Sequence, residues 1–160
     1  MLKLPKKFEL SREIRSLLDC PNCRKLLTVP QEKGTDFTCS VPELTCKDGS
    51  LILGLENEHS ELGRGLVRAL WFGQDVRLWL VHGETRLILS LTPWRCHIAG
   101  PLFTRILCRA RQAEPEADYT AVWELYPQRA EQSDTLPPAP QAIQITVADQ
   151  HHLDHRSLHR

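Results

Sequence analysis

Cys20-Pro21-Asn22-Cys23, continued by Cys39 and Cys46, is the stretch on which the reading of this chain turns. A Cys-x2-Cys turn presents two sulfurs to one ion from a single tight loop, and Zn²⁺ prefers a tetrahedral shell of thiolates or imidazoles. Fifteen residues separate Cys23 from Cys39, a span suited to a ribbon hairpin. Cys39 and Cys46 are six residues apart, where a second knuckle would have two, so the loop Ser40–Thr45 must fold back to bring both sulfurs in. The expected site is therefore Zn²⁺ held by Cys20, Cys23, Cys39 and Cys46. Four thiolates leave no open coordination position, which makes such a site structural rather than catalytic. The competing reading leaves Cys46 as a buried thiol, with His59, Cys96, His97 and Cys108 as replacement ligands.

Working outward, Leu10, Ile14, Leu17 and Leu18 fall at i, i+4, i+7 and i+8, with Ser11 as a cap, and predict a short amphipathic helix over 10–18. Leu26–Val29 and Asp36–Thr38 are β-prone and separated by the turn-like Gln31-Glu32-Lys33-Gly34. Ser50–Leu55 is an apolar run suited to a strand buried on both faces. Leu62, Leu66, Val67, Leu70 and Trp71 after Ser60 predict a second helix that ends at Gly73. Val76–Val81 and Arg86–Leu91 predict a hairpin, and Pro101–Ala113 reads as helix in preference to strand. Tyr119–Tyr126 predicts a strand, and Ala142–Val147 an edge strand. Gln128–Gln141, with Pro137-Pro138-Ala139-Pro140, reads as an extended linker.

Charge is balanced over the 160 residues, 20 basic against 20 acidic, which argues against a general polyanion binder. The N-terminus departs from that balance. Residues 1–30 hold seven cations (Lys3, Lys6, Lys7, Arg12, Arg15, Arg24, Lys25) against three acids. Lys6, Lys7, Arg12, Arg15, Arg24 and Lys25, with Arg105 and Arg109 on one helical face, are the candidate nucleic-acid contacts. Trp71, Trp79, Trp94 and Trp123 offer stacking rings or core, with Trp94 expected to be the exposed one. His151, His155 and His159 would align on a helix, although a polar tail is the plainer reading.

No run approaches the ~18 apolar residues of a membrane span, and the N-terminus lacks the apolar core of a secretory signal. A cytoplasmic protein is expected. No Gly-rich phosphate loop, nucleophile elbow or deaminase signature is present, so no enzyme site is expected.

Leu17-Leu18-Asp19-Cys20-Pro21-Asn22-Cys23, Leu26-Leu27, Phe37-Thr38-Cys39, Asp48-Gly49 and Leu51-Ile52-Leu53 together resemble the short zinc-ribbon proteins that activate methyltransferases acting on tRNA and release factors. The resemblance covers about residues 14–56 and implies a ribbon fold and an adaptor role. The expected fold class is α+β. It comprises an N-terminal zinc ribbon with its helix over 1–56, a mixed helix and antiparallel-sheet domain over 57–126, and an extended, His-rich tail over 127–160. The expected function is a non-enzymatic binding subunit of a nucleic-acid-processing complex that contacts RNA, DNA or a protein partner. A methyltransferase adaptor and an enzyme with an unrecognised site are the alternatives.

Overall fold

A computed structural model describes residues 8–142. Its elements, in chain order, are α1 (Arg12–Asp19), β1 (Arg24–Val29), β2 (Phe37–Ser40), β3 (Thr45–Lys47), β4 (Ser50–Leu55), α2 (Glu61–Phe72), β5 (Val76–His82), β6 (Thr85–His97), α3 (Pro101–Ala113) and β7 (Ala121–Gln132).

Local chemistry explains most of the boundaries. The Ser11 hydroxyl accepts from the Ile14 N–H and starts α1, and the Ser60 hydroxyl accepts from the Gly63 N–H and starts α2. Gly73, at φ 62°, closes α2 in the left-handed conformation that an L side chain resists. Pro101 opens α3 at a position whose N–H has no intrahelical partner. Gly83, at φ 60°, permits the tight turn between His82 and Thr85, which pair across the hairpin.

All seven strands join one antiparallel sheet in the order β2-β1-β5-β6-β7-β4-β3. Its two edge strands, β2 and β3, are consecutive in the chain and linked by only four residues, 41–44. Four residues reach at most ~14 Å, so the sheet must curl until its edges approach each other. One row of side chains from every strand but β3 points into that curl: Leu27 and Val29, Phe37 and Cys39, Leu51 and Leu53, Leu78 and Leu80, Leu89 and Leu91, and Trp123 and Leu125. Ile14 and Leu18 of α1, and Leu62, Leu66 and Ala69 of α2, add to the same core. Each such aliphatic side chain contributes roughly 1.5–3 kcal/mol on burial.

The other face is partly covered as well. Leu26, Thr28, Thr38, Ile52, Trp79 and Val122 are also buried, which is why the strand sequences lack strict alternation. Thr28 and Thr38 satisfy each other there through a 2.7 Å hydroxyl contact.

The sheet replaces the expected ribbon-plus-domain architecture. β1 pairs with β2 as a ribbon hairpin would, but its other edge is laddered to β5 from Arg24↔Val81 to Thr28↔Arg77, and β4 is laddered to β7. The segment read as a ribbon thus supplies four strands of one large sheet. The Gln128–Gln141 linker begins later than expected, because β7 runs to Gln132 across two register shifts beside β6. The edge strand expected at 142–147 and the histidine tail lie outside the described residues, apart from Ala142. No helix among the described residues is long and apolar enough to cross a membrane.

Candidate ligand-binding site

Strand pairing decides where the four cysteines go. Cys20 caps the C-terminus of α1, and the Cys23 N–H donates to the Cys20 carbonyl at 3.1 Å, so this pair does form a turn. Cys39, on β2, is 1% exposed within the core, whereas Cys46, on β3, is half-buried and faces the hollow lined by Arg15, Asp19 and Asp48. Among the described residues, no group of three or more His, Cys, Asp or Glu side chains comes together as a metal site. The expected Zn²⁺ centre is corrected accordingly. Cys39 instead serves as a core side chain, its thiol pushed up to about 12 by burial and, secondarily, by Glu61. Burial raises Cys23 and Cys46 too, partly opposed by Lys25 and Arg15 respectively. The replacement ligands are scattered: His97 contacts Glu124 at 2.8 Å, His59 lies 3.6 Å from Glu58, and Cys108 is exposed on α3.

The candidate nucleic-acid residues also disperse. Lys6 and Lys7 lie outside the described residues. Arg12 and Arg15 are exposed on α1, Arg24 on β1, and Arg105 and Arg109 on α3. Lys25 is only 5% exposed, on the same strand parity as Leu27 and Val29. Arg15 shares a 610 Å³ cavity with Glu9, Asp19 and Asp48.

A second large cavity, of 430 Å³, is walled by Val41, Leu53 and Leu55 and carries Glu43, Glu56 and Glu114 with no cationic side chain. The Tyr119 hydroxyl donates to Glu43 Oε2 at 3.2 Å. Burial, followed by the charge of Glu43, pushes this phenol up to about 12. An anionic ligand is disfavoured there by the same carboxylates.

The outer face of α2 has a different character. Arg64, Val67, Arg68, Trp71 and Phe72 fall at i, i+3, i+4, i+7 and i+8, a single stripe opposite the buried Leu62, Leu66 and Ala69. Trp71 is 79% exposed and Phe72 65% exposed, unusual for aromatics on a helix that already buries one apolar face. The Arg68 guanidinium lies 4.9 Å from the Phe72 ring centroid, a cation–π contact that orients both. This stripe walls a 310 Å³ hollow that also includes Glu58. Arg64 and Arg68 continue into a 260 Å³ hollow formed with Pro30, Lys33 and the α2 residues Glu61 and Gly65. Gly65 allows α2 to lie directly against the end of β1, where a Cβ would overlap the Val29 side chain.

The apolar period of the sequence groups Val67, Leu70 and Trp71 with Leu62 and Leu66. The structure divides them between two faces. The available signal was the width of the apolar arc, which exceeds what one packed face needs. Trp79 and Trp123 are buried as expected, but Trp71, and not Trp94, is the exposed tryptophan. Trp94 sits at a register shift of β6, half-buried and edge-on to Tyr126 at 6.0 Å.

No protein-family model and no curated protein matches the sequence. Solved structures do match the fold. HupZ of Group A Streptococcus is 11% identical, with a TM-score of 0.60 over 77% of this chain and 93% of that one. An FMN-binding protein from Syntrophomonas wolfei is 11% identical, with a TM-score of 0.60 over 77% and 85%. A putative pyridoxamine 5'-phosphate oxidase from Listeria innocua is 12% identical, with a TM-score of 0.55 over 77% and 97%. At these identities the likeness concerns the fold: the curled antiparallel sheet resembles the FMN-binding split barrel, not a zinc ribbon.

Proposed function

We propose that the protein binds a phosphate-bearing planar heteroaromatic cofactor of the flavin type on the outer face of α2. One observation carries this reading: Arg64 and Arg68 share a single exposed stripe with Val67, Trp71 and Phe72. The fold likeness supports it, since two of the similar structures are an FMN-binding protein and a putative pyridoxamine 5'-phosphate oxidase. The zinc-dependent nucleic-acid subunit and the ribbon-type adaptor lose their basis with the ribbon.

The side chains fit such a group in kind. Two guanidiniums one helical turn apart, with Lys33 across the hollow, supply charge-assisted donors for a phosphate. Trp71 and Phe72 supply flat apolar surface for a ring system. The adjoining hollows of 260 and 310 Å³ together reach the ~300–1,000 Å³ range of small-molecule sites. Glu32, Glu58 and Glu61 stand on the same rims and select against a ligand whose negative charge extends beyond its phosphate. A bound flavin would supply reversible hydride or electron acceptance, while the chain's own residues hold the phosphate and cover one side of the ring.

Titration with FMN, followed by the quenching and anisotropy of its fluorescence, tests the proposal. FMN should bind more tightly than riboflavin, which lacks the phosphate. Arg64→Gln with Arg68→Gln should weaken FMN by roughly tenfold or more while leaving riboflavin nearly unchanged, because a charge-assisted hydrogen bond is worth about 1.5–3 kcal/mol. Undiminished FMN binding in that double variant, or no FMN binding by the native protein, would refute the assignment.

A further inference from the structure

We propose that Cys20 and Cys23 form a reversible thiol–disulfide exchange site for small disulfides, independent of the α2 face. The Cys20–Cys23 turn is closed by the Cys23 N–H to Cys20 C=O bond at 3.1 Å. A turn closed from i to i+3 holds its end Cα atoms within ~7 Å, and disulfides span ~4.4–6.8 Å between Cα atoms. Both ends are also anchored. The Cys20 N–H donates to Leu17 C=O at 3.2 Å at the end of α1, and β1, which starts at Arg24, is laddered on both edges. The backbone therefore suits a bridge, which closes once the Cys23 thiol turns from its 3.7 Å contact with the Arg24 carbonyl toward Cys20.

Exposure assigns the roles. Cys20 is part-buried beside the exposed Pro21 and Asn22, whereas Cys23 is only 5% exposed, so an incoming disulfide reaches Cys20 first. The Cys20 thiolate attacks one sulfur of the disulfide, forming a mixed disulfide and releasing one thiolate. Cys23 then attacks Cys20 Sγ, its proton passing to the departing sulfur, and the second thiol is released. Two protein thiols are oxidised and one external disulfide is reduced to two thiols. The closed loop is very short, so it removes little unfolded-state entropy, and the bridge acts as a reversible modification more than as a staple. Cys39 and Cys46, on separate edge strands, take no part in it.

Equilibration of the full chain in glutathione redox buffers, followed by acid quenching and peptide mass mapping, reads this out. The expected product is a Cys20–Cys23 link with the loss of two hydrogens, reversed on return to reduced glutathione. Cys23→Ser should trap one glutathione on Cys20, and Cys20→Ser should leave Cys23 unmodified in the folded protein. The Cys20→Ser arm keeps the test informative if the buried Cys23→Ser change impairs folding. Modification confined to the exposed Cys96 and Cys108, or a link from Cys20 to Cys46 in place of Cys23, would overturn the proposal.

Discussion

Gly65 shows how one missing side chain positions the proposed site. A Cβ there would lie 2.6 Å from Val29 Cβ and 3.0 Å from the Pro30 carbonyl oxygen, the last residue of β1 and the one that follows it. Gly65→Ala should therefore cost about 1–3 kcal/mol, despite alanine's higher helix propensity, as measured by urea unfolding. An unchanged or raised midpoint would show that α2 can shift away from β1. Tyr119 offers a second test at this scale. Its phenol is held at about 12, above the ordinary 10.0, by burial and by Glu43. The unfolded chain loses this proton first, so the stabilising contribution is complete below pH 10 and falls as pH rises from 10 to about 12. Ultraviolet titration should show one phenol ionising near 12, and Glu43→Gln should lower that value. The cysteines, by contrast, were misread at this scale because a Cys-x2-Cys turn looks the same whether its sulfurs face a metal or simply begin a strand.

Elements were the most legible level. β4 at 50–55 and α3 at 101–113 occur as the sequence indicates, because an unbroken apolar run and a proline-led helical period are local signals. β3 was missed, since Thr45-Cys46-Lys47 has only three residues and gains its ladder from β4 alone. In α2 the period was legible, but the division into two faces was not, because periodicity cannot say which arc finds a partner. The Ser60 cap ties that helix down at the end nearest Arg64, with its hydroxyl also donating to the Asn57 carbonyl at 2.7 Å. Ser60→Ala should destabilise the protein by about 1 kcal/mol and Ser60→Thr, which keeps the hydroxyl, by less, as read from thermal melts. Equal losses for the two would mean that the hydroxyl's hydrogen bonds do not carry the effect.

At the scale of the whole molecule, the distinction between a ribbon with an appended domain and one curled sheet rests on the β1–β5 and β4–β7 ladders. Both join segments remote in sequence, and no local pattern specifies such pairing. A hairpin, a thiol turn and an Asp-Gly turn fit either architecture. One sheet with one continuous core predicts a single cooperative unfolding transition, unmoved by a strong zinc chelator. A chelator-induced loss of the 8–56 segment, seen by hydrogen exchange, would contradict that topology. The functional claim is tested most directly by the tryptophan indole N–H resonances in a ¹⁵N-labelled sample during FMN titration. The account predicts that the Trp71 signal shifts with saturation while those of the buried Trp79 and Trp123 stay in place. An unmoved Trp71 signal alongside shifts at residues lining the Glu43–Tyr119 cavity would contradict it.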